Sequence, residues 1–221
     1  GGGYDLFPFK AAARWGGKPT DYGNQFVVQL FGCNLDCPYC YVTREGVWGE
    51  FVRVPTYDLY RAYLSTPYPV FHLMGGAPAL TMKYWHELLD LLGDHIFHSD
   101  LMLTEFAYDP KVLGHIARDN CLYAINIKGV TPEEYQRNTR KPFPEQRFWA
   151  NWKLIQEIEV PAYLTFTGCR EDRDEFWSKA KAQGINVDYW CKHSYNISII
   201  DYNALGDVDN IPWGGLKEYK G

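Results

Sequence analysis

The chain has 221 residues, 46% hydrophobic, 17% aromatic and 22% charged, with 22 basic against 27 acidic side chains and a net charge of -5. That length and apolar share suit one α/β domain with a real core and exclude a disordered chain. The acidic balance, without any basic run, argues against duplex nucleic acid as a main partner.

No apolar run approaches the roughly 18 residues needed to cross a bilayer. The N-terminal GGGYDLFPFK lacks the charged-then-apolar order of a signal peptide. The expected location is therefore the cytoplasm, where clustered cysteines bind metal more often than they pair.

Residues 1–23 read as an N-terminal extension of a single domain spanning 1–221. NQFVVQLF (24–31) is the first predicted strand, and Cys33, Cys37 and Cys40 follow it at once. TYDLYRAYLS (56–65) predicts a helix opening on a Thr N-cap, and PVFHLM (69–74) a second strand. TMKYWHELLDLLGD (81–94) is helical in pattern, DLMLTEF (100–106) predicts a third strand, and DPKVLGHIARDN (109–120) a helix with Pro in its first turn. LYAINIK (122–128) and AYLTFT (162–167) predict strands four and five, with the helix EQRFWANWKLIQEIE (145–159) between them. EDRDEFWSKAKAQG (171–184) predicts a helix ending on Gly, NISII (196–200) competes with INVDY (185–189) as a sixth strand, and 201–221 form a C-terminal tail. Such alternation implies parallel strands with right-handed crossovers. An open doubly wound sheet and a partial barrel both fit, and in both the chemistry gathers at the C-terminal strand ends.

Half of the six cysteines lie in FGCNLDCPYCY (31–41) as Cys33-x3-Cys37-x2-Cys40. One helix face would hold them as small core residues, but Pro38 lacks an N–H and Gly32, Asn34 and Asp36 favour a loop. Structural zinc is the next reading, yet it takes four protein ligands and no neighbouring His or Cys supplies the fourth. Three soft thiolates suit an iron–sulfur cluster, leaving one iron without a protein ligand.

This Cys-x3-Cys-x2-Cys, with an aromatic residue before the last Cys, resembles the signature of the radical S-adenosylmethionine (SAM) superfamily. The resemblance spans roughly residues 24–200 and implies a partial (β/α)6 barrel of parallel strands with the cluster loop after the first strand. It implies a [4Fe–4S] cluster on Cys33, Cys37 and Cys40, whose open iron is chelated by SAM. The implied activity is reductive cleavage of SAM to a 5′-deoxyadenosyl radical that abstracts hydrogen from a substrate. An electron donor such as flavodoxin or ferredoxin is implied with it.

Further motifs extend the likeness. Tyr39 occupies the aromatic position that packs near the adenine. Gly75-Gly76-Ala77-Pro78 resembles the Gly-Gly-Glu-Pro segment that holds the SAM amino group, with Ala77 departing from Glu. Asn126 and Lys128 share one face of the fourth strand, while Tyr123, Ile125 and Ile127 take the other. Asn-Ile-Lys-Gly-Val-Thr-Pro-Glu-Glu-Tyr (126–135) is similar to the Asp-x-Lys strand and following helix of glycyl-radical activating enzymes, which gives Lys128 the SAM carboxylate; Asn126 replaces the Asp. Glu105 is either an acceptor for the SAM ribose hydroxyls or a capping or surface carboxylate, and Thr165 and Thr167 line the cavity or sit satisfied in the core.

Cys121 is expected at the far end of the barrel and Cys169 near the active end; His72 and His193 are weaker candidates for substrate contact. VWGEF (47–51) and RFWANW (147–152) fit either a docking surface or core. Three functions stay open: an activase-like enzyme acting on a protein or peptide, an enzyme rearranging a small molecule, and a non-catalytic iron–sulfur protein.

Overall fold

The computed structural model describes residues 2–4, 13–16, 18–40, 42 and 44–197. Seven strands form one sheet: β1 (Gly2–Tyr4), β2 (Asn24–Gln29), β3 (Val70–Met74), β4 (Ile96–Leu101), β5 (Cys121–Ile127), β6 (Ala162–Thr167) and β7 (Ser194–Ile197). They lie in sequential order; β1 is antiparallel to β2, and β2 through β7 are mutually parallel. A doubly wound sheet needs a reversal of strand order, and this sheet has none. Successive crossovers of one hand put every helix on the same side, so the sheet curls as a barrel section. It is not closed: among the described residues β1 and β7 are its two edges. The partial barrel is the architecture.

Helices α1 (Arg44–Trp48), α2 (Thr56–Leu64), α3 (Trp85–Leu92), α4 (Pro110–Ile116), α5 (Pro132–Thr139), α6 (Glu145–Glu157), α7 (Asp174–Ala182) and α8 (Val187–Lys192) complete the frame. Alternate strand residues face them, since side chains alternate across a sheet. Phe71, Phe97, Tyr123, Ile125, Leu164 and Phe166 join the helices in the main core. Trp152 of α6 is fully buried, stacked on Trp149 and Phe176 and edge-on to Phe148 and Trp190. RFWANW is thus core, whereas VWGEF leaves Trp48 and Phe51 about half exposed. On the concave face Val70, Leu122, Ala124 and Tyr163 pack with Trp15, Tyr22 and Tyr195, so Trp15 and Tyr22, ahead of β2, cover the N-terminal end of the barrel.

Two expectations shift. The third strand runs over Ile96–Leu101, ahead of the expected 100–106. Its polar centre, His98-Ser99-Asp100, hid it: His98 stacks on Tyr163 across the concave face, and Ser99 donates to Leu73 O at 2.9 Å. INVDY is not a strand, because Asn186 caps α8 by accepting from Tyr189 N at 3.1 Å. The sixth expected strand begins earlier, at Ser194; its residues 198–200 and the tail 201–221 lie outside the described residues.

Candidate active site

The loop after β2 is irregular, as Pro38 requires. Cys37 to Cys40 form a turn closed by Cys40 N donating to Cys37 O at 3.1 Å, with Pro38 at its favoured second position. Gly32, at φ +94°, donates to Val47 O at 3.0 Å and accepts from Ala77 N at 2.8 Å. Asp36 N donates to Thr139 O at 3.1 Å, and the buried Leu35 packs among Ala77, Met102 and Tyr135. The loop is thus pinned on three sides before any ligand arrives. Cys33 and Cys37 are half-buried and Cys40 is exposed. Burial pushes the Cys33 thiol up to about 11 and also raises Cys37, while the Lys128 cation pulls both the other way. Among the described residues no three His, Cys, Asp or Glu side chains converge on one metal ion. Three thiolates on one short loop suit a cluster, in which each cysteine ligates a separate iron. The donor set fits a cluster.

The turn after β3 packs backbone to backbone against this loop. Gly75 and Gly76 take φ +74° and +52°. A Cβ on Gly76 would strike Gly32 O and lie 3.0 Å from Leu30 O, and one on Gly75 would strike the Gln29 side chain. Both must be glycine for the turn to approach so closely. Ala77 is 2% exposed, in the apolar cluster of Leu35, Met102 and Tyr135; a Glu there would put a carboxylate among apolar side chains. Its N–H is spent on Gly32 O, and its C=O accepts from Leu80 N at 3.0 Å, so Ala77 serves the scaffold.

Lys128 stands one residue past β5 with Nζ 5.7 Å from the centroid of the Tyr39 ring. Tyr39 is held by the cysteine turn, its buried hydroxyl directed at the Cys37 thiol. Below them a ladder crosses three strands of the concave face. Thr165 Oγ1 donates to Asn126 Oδ1 at 2.7 Å, and Asn126 Nδ2 donates to Asp100 Oδ1 at 3.1 Å. Deeper still, His72 and His98 sit with ring centroids 4.3 Å apart, and burial lowers both below the usual histidine range. Thr167 is buried on the same strand as Thr165.

Glu105 lies in the loop after β4. Its Oε2 is 2.8 Å from Tyr108 Oη and 3.3 Å from Met102 N, and its Oε1 is buried with no partner among the described residues. Burial pushes its carboxyl up to about 8. Asn151 of α6 holds this loop: Oδ1 accepts from Tyr108 N at 2.9 Å, and Nδ2 donates to Leu103 O and Phe106 O at 2.9 and 2.7 Å.

Cys169 borders the site, near Tyr39 and Lys128, its thiol pushed up to about 12 by burial and by Glu134. Cys121 opens β5 and is buried at the opposite end of that strand from Lys128. His193 stacks on Tyr189 at the end of α8. Sequence reasoning missed Asp100, Tyr108, Asn138 and Asn151. A signal existed for Asn151: an Asn between Trp149 and Trp152 on the apolar face of a helix needs a buried partner.

The family model of the radical SAM superfamily matches residues 27–182. The chain belongs to the radical SAM superfamily. Its cofactors are accordingly a [4Fe–4S] cluster and SAM. No curated protein sequence matches this radical SAM protein. Among solved structures it is similar to anSMEcpe with bound AdoMet and the Kp18Cys peptide, at TM-score 0.52 and 15% identity, covering 80% of this chain and 52% of that one. Streptococcus suis SuiB bound to its precursor peptide SuiA gives TM-score 0.52 and 13% identity, over 71% of this chain and 38% of SuiB. TYW1 with a lysine-pyruvate adduct bound gives 0.52 and 12%, over 77% and 65%. At these identities the likeness is one of fold. The chain spans about half or less of the length of the first two. No helix among the described residues is long and apolar enough to cross a membrane.

Proposed function

We propose that this radical SAM protein is an enzyme that cleaves SAM reductively and takes hydrogen from a peptide or protein segment, in the manner of an activase. When bound, the cluster supplies the electron that splits SAM to methionine and the 5′-deoxyadenosyl radical. Cys33, Cys37 and Cys40 hold the cluster. The backbone of Gly75 and Gly76 receives the SAM amino group, Lys128 its carboxylate, Glu105 its ribose hydroxyls, and Tyr39 flanks the adenine. Asn126 and Thr165 face the cavity below and orient what enters it. The observation that carries this reading is convergence: the cysteine loop, the glycine turn and Lys128 come from three strands and meet through Gly32 and Tyr39. The open edge of the sheet supports a peptide as substrate, since a chain can enter from the side. Two of the similar folds were solved with peptides.

Anaerobic cluster loading, reduction with dithionite and assay for 5′-deoxyadenosine test the reaction. Wild type should form it, and Cys37→Ala should lose both iron–sulfur absorption and product. Well-reduced, loaded wild type that forms none would make this a non-catalytic iron–sulfur protein. Substrate class is read from deuterium appearing in 5′-deoxyadenosine. Label drawn from deuterated peptides supports the proposal; label drawn only from a deuterated small-molecule ultrafiltrate sinks it.

A further inference from the structure

Tyr108 Oη lies 2.6 Å from Met102 O and 2.8 Å from Glu105 Oε2. A hydroxyl carries one hydrogen, and a carbonyl oxygen can only accept. Either oxygen could take the Tyr108 hydrogen, and we assign it to the shorter contact, Met102 O at 2.6 Å. The contact with Glu105 then needs a second hydrogen, and only the carboxyl can bring it. The other carboxyl oxygen, Oε1, is buried with no partner among the described residues, in a residue 8% exposed.

We propose that Glu105 is a neutral carboxylic acid in the ligand-free protein and gives up its proton when Oε1 receives the ribose diol of SAM. The inference rests on the assignment of the SAM ribose to Glu105. The O–H bond of the carboxyl breaks and its proton passes to the buffer. Tyr108 then turns its hydrogen from Met102 O to Oε2, so the same hydroxyl serves both states. Hydrogen bonds to an ionised acceptor are about twice as strong as neutral ones. A diol donating to Oε1 and a sulfonium cation nearby therefore both favour the carboxylate.

The surroundings hold the free form neutral. Asp100 of β4 opposes a charge on Glu105, and Tyr135 of α5 lies close to it. Arg147 of α6 spends its guanidinium on Thr104 O and Glu105 O, at 3.3 and 3.4 Å, not on the carboxyl. Burial, the largest influence, outweighs the opposing pull of Tyr108 and of Met102 N, which donates to Oε2 at 3.3 Å, and pushes the group up to about 8. At pH 7 about nine molecules in ten then carry the proton.

The sign follows from linkage. A proton that must leave on binding weakens SAM below its pKa, so affinity rises with pH through about 8 and then flattens. Titration calorimetry of SAM into oxidised, cluster-loaded protein, in buffers of different ionisation enthalpy, counts the protons released. Wild type should release about 0.9 proton more than Glu105→Gln at pH 7. Its affinity should gain about tenfold more between pH 7 and pH 9. The amino group of SAM titrates equally in both proteins and cancels. 5′-Deoxyadenosine, which has the diol but neither the amine nor the sulfonium, should show a difference of the same sign. Equal proton counts with SAM bound to both proteins would overturn the proposal while leaving the SAM site standing. Failure of loaded wild type to bind SAM would remove the site itself, and the proposal with it. If Glu105→Gln does not fold, Tyr108→Phe decides. Losing the donor to the charged carboxyl should move the flattening point above about 8, and an unchanged profile would refute the pairing.

Discussion

Gly76→Ala is the sharpest test of how the cysteine loop is held. The backbone at Gly76 is left-handed, φ +52°, which costs an L-residue about 1–2 kcal/mol. The new methyl would also meet Gly32 O and Leu30 O, both backbone atoms that cannot swing aside as a side chain would. Forcing such overpacking costs about 1–3 kcal/mol more, giving about 2–5 kcal/mol in all. Gly184→Ala is the control: φ is +82°, yet nothing lies within 4 Å of its Cβ, so only the backbone cost of about 1–2 kcal/mol applies. Urea unfolding of the two variants, followed by circular dichroism, compares them directly. The steric share also displaces the loop bearing Cys33, so Gly76→Ala should hold less iron after loading, whereas Gly184→Ala should load fully. Equal midpoints and equal iron content would refute the idea that contact between the glycine turn and Gly32 builds the site.

Asn151→Ala removes three hydrogen bonds to buried backbone of the 103–108 loop and should cost about 2–4 kcal/mol in urea unfolding. Calorimetry should show weaker SAM binding at a temperature where the variant is still folded; undiminished binding would separate that loop from the cofactor. Trp152→Ala, at the centre of the aromatic stack, should cost about 3–5 kcal/mol yet leave cluster loading unchanged in folded protein. Reduced iron content there would tie the helix-side core to the site more tightly than the contacts allow.

What the sequence made legible follows from local physics. β6 falls on 162–167 as expected because AYLTFT is short, rich in β-branched and aromatic residues, and buried along its whole length. Asp109 caps α4 as its position before Pro110 predicts, accepting from Lys111 N at 2.8 Å. The cysteine spacing and the two glycines were legible because ligand chemistry and positive φ restrict residue type at those points. β4 was not: a barrel interior tolerates polar residues, so His98 and Asp100 on the concave face broke the pattern that marks a strand. Ala77 reads as a lost functional group, and only packing shows its place, in the apolar cluster of Leu35, Met102 and Tyr135. Glu105 was named from its position, but its proton state depends on Tyr108 and on burial, which spacing does not encode.

The rim of the site has a further organiser in α5. Its first turn carries Glu134, fully buried, with Oε2 accepting from Val130 N at 2.8 Å and Oε1 from the N–H groups of Arg170 and Glu171. One carboxylate thereby ties the loop after β5 to the loop after β6. One turn on, Asn138 Nδ2 donates to Lys128 O and Gly168 O, at 2.8 and 3.1 Å, repeating the tie beside the lysine itself. At the last turn Thr139 O accepts from Asp36 N, which brings in the cysteine loop. Three successive points on one eight-residue helix thus fix three loops that share no chain continuity. Loops after parallel strands are otherwise free to drift, and cofactor chemistry punishes misplacement of about an ångström with large losses of rate. Anchoring them to buried groups of one rigid helix keeps Lys128, Cys169 and the Cys33–Cys40 turn in a common frame.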